Sequence, residues 1–361
     1  EHSFPTRRSS DLAVEAARAV AAYAAAGDRK RHTMAVARGI YLNAFTDSTA
    51  ARAEFASHRL GDAGDADPAV AAWVGAAAAR LASLGNEFGL AARRYEQVYA
   101  AALQTGQLRQ AIIGASGVCA AFLNLNNPPF ALEWSERGLA MARTAGWPML
   151  VGDLLASTGE VLGHLGHHES ARAHLADALV ALEPSAGSGS HAAVLKGLGE
   201  VSLALGEYEA AREWFSQAEA RYRGLGWKDM LADALRGRAE ALAGLGDPAA
   251  ALTLVDECLA LCRENNYRAK QIELLRIAAG LHRRMPAGAA GASSLQTLDE
   301  ALALADGIEG YNVPHGLLEE AAAEYAAQGD PERAYRLALQ AGVSRQRVES
   351  KEAGNRALAL Q

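Results

Sequence analysis

Apolar and small residues along this chain recur at three- and four-residue spacing, the period of an amphipathic helix, and the pattern is copied at a longer interval. In the window 192–218, Leu195, Leu198, Gly199, Gly206, Tyr208, Ala211, Phe215 and Ala218 stand in an order that is found again forty residues earlier as Leu155, Gly159, Gly166, His168, Ala171, Leu175 and Ala178. Forty residues later the same places hold Leu235, Ala239, Gly246, Ala251, Val255 and Cys258. Extended along the chain, the ruler places units near residues 32, 71, 112, 152, 192, 232, 272 and 315, about eight in all. It slips only by a one-residue shift in the first unit, near Phe88, and in the Ala/Gly/Ser-rich stretch Pro286–Ser294. Each unit predicts two helices, and insertions between helices are what a stacked array tolerates.

Breaker residues mark the turns. Within hairpins they are Gly85-Asn86, Gly166-His167, Gly206-Glu207, Gly246-Asp247-Pro248 and Gly329-Asp330-Pro331; between hairpins they are Gly27-Asp28, Gly106-Gln107, Gly146-Trp147, Gly226-Trp227 and Asn266-Tyr267. Glycine suits a left-handed helix C-cap, and Pro after Asp suits the first turn of the next helix. Gly199 facing Ala211, and Ala239 facing Ala251, predict a close crossing of antiparallel helices, with Phe215 or Val255 filling the volume beside it.

Composition agrees with an all-α class. The 361 residues are 50% hydrophobic and only 6% aromatic, with abundant Ala and few β-branched residues. A net charge of −7 argues against a surface built to neutralise the phosphates of nucleic acid or anionic lipid. Three Cys cannot form a disulfide framework and suit a reducing compartment, so a cytoplasmic location is expected. Charged and Gly residues interrupt every Ala-rich stretch before it reaches the length of a membrane span. Residues 1–12 (EHSFPTRRSSDL) differ in composition from the rest and read as a non-native, adaptor-derived segment; 13–31 is expected as an N-terminal helix of the array. Residues 343–361 read as the start of a connecting helix cut short, so the chain is expected to be a fragment.

The order Leu-x2-Leu-Gly, then Ala-x3-Phe-x2-Ala, with Gly and Tyr in the turn, resembles the tetratricopeptide repeat over residues 32–342. The likeness is to a longer-period bacterial subclass: the first slot holds Leu rather than Trp, and the family's closing Pro is mostly absent. The resemblance implies a right-handed α-solenoid with a concave groove lined by the first helices. Carried onto this chain, it implies a groove lined by Asp153, Glu160, Lys196, Glu200, Arg236, Glu240 and Arg276. The competing reading of the same residues is a set of ordinary i, i+4 pairs, Lys196 with Glu200 and Arg236 with Glu240, on a solvated face.

Other chemistry is thinly encoded. There is no G-x4-G-K-[ST] loop and no H-E-x2-H helix, and Ala186–Ser190 lacks the strand that a dinucleotide fingerprint needs. No cofactor is expected. His164, His167, His168 and His174 share a hairpin, but Gly166 interrupts their spacing, so exposed turn residues are favoured over a metal site. Cys258 and Cys262 lie one turn apart and read as small core residues rather than ligands or a redox pair. Trp134 with Trp214, and Trp147 with Trp227, recur two periods apart and are expected to pack between hairpins. No nucleophile triad or carboxylate dyad stands out, so no enzyme is expected within these residues.

The expectation is therefore an interaction or sensory scaffold of a bacterial signalling protein. It would bind a protein or peptide segment, with neither nucleic acid nor membrane as partner, and it could dimerise through its C-terminal helix. Residues 348–361 (VESKEAGNRALALQ) resemble the connecting helix that leads to a GGDEF or histidine kinase output domain. The alternatives are the repeat region of a transcriptional regulator or a freestanding adaptor.

Overall fold

A computed structural model describes residues 9–60, 67–85, 87–285, 293–308 and 311–359, with side chains from residue 14 to 347. Asn86, most of the Pro286–Ser294 stretch, residues 1–8 of the N-terminal segment and residues 360–361 lie outside the described residues. Among the described residues the secondary structure is helical, with no strand.

The helices run α1 Ser9–Ala25, α2 Arg29–Asn43, α3 Ser48–Ser57, α4 Pro68–Leu84, α5 Phe88–Gln104, α6 Leu108–Asn124, α7 Pro128–Ala145, α8 Pro148–His164 and α9 His168–Leu182. After a 3₁₀ turn at Glu183–Ser185 come α10 Gly189–Ala204, α11 Tyr208–Leu225, α12 Lys228–Gly244, α13 Pro248–Glu264, α14 Arg268–Arg284, α15 Ser294–Asp306, α16 His315–Ala327 and α17 Pro331–Ala359. Two compact units contain them. Unit one holds the chain up to Val201 together with Ala220–Trp227; unit two holds Ser202–Glu219 together with the residues from Lys228 onward.

Local chemistry sets these boundaries. Left-handed backbone ends helices at Gly27, Gly106, Asn126, Gly146, Gly166, Gly206, Gly226, Gly246, Asn266 and Gly329. From 106 to 166 and from 206 to 266 these fall at every twentieth residue, and the missing step at 186 follows the 3₁₀ turn. The geometry is a Schellman closure: the amide of His167 donates to the carbonyl of Leu162 at 2.9 Å, and that of Asn127 to Phe122 at 2.9 Å. Asn126 was not among the expected turn residues, although Asn-Asn-Pro-Pro at 126–129 signals a turn. Gly85 departs from expectation in the other direction. Its φ is −89°, so Gly85 itself is not left-handed; its amide donates to Leu81 and Ala82, and that of Glu87 to Ala82 at 2.9 Å. Helix starts are capped where an Asp or Ser stands first: the carboxylates of Asp28, Asp47, Asp67 and Asp247 accept amides of the first turn, and Ser293 with Gln296 forms a capping box, whereas the longer Glu87 makes no cap bond.

Small residues control how closely helices cross. In unit one a Cβ on Gly159 of α8 would lie 3.1 Å from the carbonyl oxygen of Ala171 and 2.8 Å from Leu175 Cγ. This is the Gly-facing-Ala crossing that the repeat pattern predicts. The approach is tighter at Gly114 of α6, where a Cβ would lie 2.9 Å from the Tyr99 nitrogen and 3.0 Å from the Tyr95 oxygen. Around it Ala91, Ala92, Tyr95, Ala115, Val118, Cys119, Ala131 and Trp134 form one core cluster. In unit two Phe215 is buried beside Ala211 and Ala241, its ring seated over Gly237. Cys258 and Cys262 are fully buried in the same unit, and the Cys258 thiol donates to the Ala232 carbonyl at 3.3 Å.

Gly114→Ala is expected to lower stability by about 1–3 kcal/mol, because the methyl meets backbone that cannot rotate away. Gly280→Ala on α14, where the added Cβ finds nothing nearer than 3.6 Å, is expected instead to stabilise by up to about 1 kcal/mol through helix propensity. Thermal melts followed by circular dichroism check both; equal shifts would refute the crossing argument.

Candidate functional site

The groove residues implied by the repeat resemblance fall into two kinds of surroundings. In unit one, Lys196 Nζ donates to Glu200 Oε1 at 2.8 Å and lies 3.9 Å from Glu160 Oε1. In unit two, Arg236 Nη1 donates to Glu240 Oε1 at 2.6 Å. Arg276 Nη1 pairs with Glu320 Oε1 at 2.9 Å, and Glu320 also holds Arg283 at 2.8 Å. These six side chains therefore meet opposite charges of the chain itself. The i, i+4 pairs weighed against the groove are formed, and partly exposed pairs of this kind contribute little to stability.

Asp153 is different. It stands on α8 with its carboxyl largely out of water, accepts a hydrogen bond from Ser190 at the start of α10, and feels the charge of Arg109 on α6. Burial outweighs both and lifts its pKa to about 6. Arg109 is itself half-buried; burial and the nearby Arg38 of α2 disfavour its charge, and Asp153 favours it. Tyr41, also on α2, is pushed above its ordinary value by burial and lies within electrostatic reach of both Arg80 and Asp153. The side chains of Arg38, Tyr41, Arg80, Arg109, Asp153 and Ser190 come from α2, α4, α6, α8 and α10, alternate helices of the chain.

An aromatic stack adjoins this cluster within unit one. Tyr222 lies against Trp227 with ring centroids 6.3 Å apart, Trp227 lies against Phe45 at 4.9 Å and 21°, and the Arg80 guanidinium covers the Phe45 ring at 4.1 Å. Trp227 also seats its ring on Gly189, where any Cβ would lie 2.0 Å from the indole; Gly189 neighbours Ser190. The expected packing between successive hairpins is seen for Trp134, which is buried and meets Tyr99 edge to face, whereas Trp227 packs on the distant Phe45. Trp147 is instead 39% exposed.

Two nitrogens in this region find no acceptor among the described residues: Arg80 Nε and Trp227 Nε1 are both shielded from water and unbonded. Arg38, Tyr41, Phe45, Arg80, Arg109, Ser190 and Trp227 were not singled out as groove residues. Arg80 and Arg109 are the lone charged residues of α4 and α6, which was a signal, but the residues occupy different places in their units, so no single position of the repeat points to them.

Unit two carries a second cluster, which is internally satisfied. Lys270 Nζ lies 2.9 Å from Asp229 Oδ1 and 2.9 Å from Asp233 Oδ1, and donates to the Asp229 carbonyl at 2.8 Å. Burial opposes the Lys270 charge, but the two carboxylates more than offset it and its pKa rises. A small recess beside it is lined by Asp233, Arg236, Cys258 and Glu273. The Cys258 thiol is pushed up by its contact with Cys262 and by burial. Among the described residues no three His, Cys, Asp or Glu side chains are grouped to hold a metal ion, the histidines of 164–174 included. No helix among them is long and apolar enough to cross a membrane.

Asp153 yields a pH prediction. Its folded pKa lies above the unfolded carboxyl value near 4, so the stability it supplies is complete at low pH and falls as pH rises through about 6. Asp153→Asn is expected to match the parent at pH 4 and to exceed it by about 2 kcal/mol at pH 8. Melting temperatures across this range check it; an equal difference at both ends would refute the burial of the carboxylate.

Neither a family model nor a curated protein matches the sequence. Solved structures do match. The crystal structure of a Rap protein complexed with competence and sporulation factor superposes with a TM-score of 0.66 at 13% identity, over 96% of this chain and 100% of that one. NprR in complex with its cognate peptide NprX gives 0.62 at 15% identity, over 86% and 88%. The Rap conjugation gene regulator of plasmid pLS20, in complex with the Phr* peptide, gives 0.59 at 12%, over 89% and 84%. At such identities the likeness concerns the fold. Helical throughout its described residues and with repeated hairpin turns, this chain has a tetratricopeptide-like helical-repeat fold.

Proposed function

We propose that this chain is an interaction module that captures a peptide segment of a partner protein along the alternate helices α2, α4, α6, α8 and α10 of unit one. The observation that carries the reading is the convergence of Arg38, Tyr41, Arg80, Arg109 and Asp153 from four of those helices. Gathering ionic groups out of water costs stability, and such clusters concentrate where a ligand is bound. The similar Rap and NprR structures include complexes with peptides, which supports a peptide as the ligand class. In this reading Asp153, Glu160, Lys196 and Glu200 belong to the binding surface of unit one, and Arg236, Glu240 and Arg276 are separate partner contacts within unit two.

The wider role is regulatory. Binding selects one spacing of the repeated helices, and α17, which runs unbroken over Pro331–Ala359, passes that choice to a signalling output such as a GGDEF or kinase domain. Self-association of two copies through α17 belongs to the same reading, supported by Tyr335, Leu339 and Val343, which stand one turn apart and at least half exposed. A cytoplasmic setting follows from that role.

A displayed random-peptide library panned against the purified chain tests the proposal. The expected result is a set of enriched peptides whose photo-crosslinks fall on α2, α4, α6, α8 and α10, with binding weakened at least tenfold by Arg109→Glu. Failure to enrich any peptide, or crosslinks confined to α3, α5, α7 and α9, would refute it.

A further inference from the structure

We infer that the Phe45–Trp227 ring stack is a clasp that holds the ligand-facing helices of unit one closed, so that the free chain is self-inhibited and a bound segment acts by favouring release of the clasp. The inference rests on the peptide-binding reading above and names the regulation of that site.

The two halves of the stack are fixed on opposite ends of the same row of helices. Phe45 stands just after α2 ends at Asn43, and the Arg80 guanidinium of α4 covers its ring at 4.1 Å. Trp227 belongs to the far end. It seats on Gly189, the first residue of α10, and its ring lies against that of Tyr222 on α11 at 6.3 Å. Each ring is therefore held by its own neighbours, and the two meet with centroids 4.9 Å apart and planes at 21°. Since α2 and α10 are the first and last of the five alternate helices, the stack ties the ends of the row together. Between those ends the chain's own groups already fill the space: half-buried Tyr41 senses Asp153, and Arg109 senses both Asp153 and Arg38. A segment laid along α2, α4, α6, α8 and α10 meets a closed arc, and the joint between the rings is where that arc parts.

The joint is suited to parting. Phe45 lies in the turn after α2 and Trp227 in the turn after α11, so separating their rings breaks no helical hydrogen bond. Stacking favours the closed form. Against it, the closed form keeps Trp227 Nε1 shielded from water without an acceptor, and parting returns that donor to water. Opposed terms of this kind leave two forms close in free energy, and a ligand that prefers the open one shifts the balance. The apparent affinity of the chain is then reduced by the fraction of molecules that are open. Gly189 gives a way to loosen the clasp without removing a ring. A Cβ there would lie 2.0 Å from the outer edge of the indole, the swinging end of that side chain, so Gly189→Ala displaces Trp227 from its seat.

Peptides enriched against the parent chain provide the probe. Their binding to the parent, to Gly189→Ala and to Phe45→Ala is measured by fluorescence polarisation. Both variants are expected to bind at least fivefold more tightly, chiefly through faster association; a fivefold gain corresponds to a parent that is open in about one fifth of molecules or fewer. Spin labels on Thr46→Cys and Gly224→Cys, both exposed positions in unit one, report the joint directly, and their separation is expected to lengthen when peptide is added. A circular dichroism melt checks folding, and if Phe45→Ala does not fold, Gly189→Ala and the label separation decide. Unchanged or weaker binding by either folded variant, or a label separation unmoved by saturating peptide, would overturn the clasp while leaving peptide binding intact. No binding of any peptide to the parent would overturn both.

Discussion

The structure depends on how near two helices can come. An isolated helical hairpin exposes an apolar side that only a neighbour can cover, and the neighbour can cover it only if backbones approach where they cross. Gly114 against the Tyr95–Tyr99 backbone and Gly159 against Ala171 show what this demands: there is no room for one methyl group. Large side chains then fill the flanks, Tyr95 and Trp134 in unit one and Phe215 in unit two. With consecutive helices drawn together in this way, side chains that are far apart in sequence, such as Tyr41 and Asp153, come to sense one another's charge.

Two kinds of ionic group result, and burial separates them. Pairs one turn apart on a helix form wherever the sequence puts opposite charges there; they stay partly hydrated and neutralise themselves, as Lys196–Glu200 and Arg236–Glu240 do. Lys270 with Asp229 and Asp233 reaches the same end by bridging helices α12 and α14. Around Arg80 and Asp153 water is excluded instead: Arg80 Nε is shielded and unbonded, and burial raises the Asp153 pKa. Fold stability does not call for such an arrangement, since apolar residues of similar size would be cheaper.

The helical class, the hairpin turns and the small-residue crossings were legible from the chain because each rests on local rules: three- and four-residue spacing, glycine or asparagine at left-handed positions, small residues where helices cross. Where local rules are degenerate the reading slipped. Gly85 closes its helix at φ −89°, and Asn126 takes the left-handed place that was not assigned to it. The site was legible only at Asp153. A repeat template collects residues that share a position in every unit, and it therefore found the ladder of Lys196, Glu200, Arg236 and Glu240. Arg80, Arg109, Ser190 and Trp227 occupy different positions in their units, and what unites them is the distance between helices, which no single repeat encodes.

The ring stack also has a bearing on the order in which the molecule forms. Each hairpin is closed by contacts between near neighbours in sequence, whereas Phe45 meets Trp227 only after the intervening segments have taken their places. Long-range closure is entropically slow, so the Phe45–Trp227 junction is expected to form late in the assembly of unit one, after the hairpins it joins.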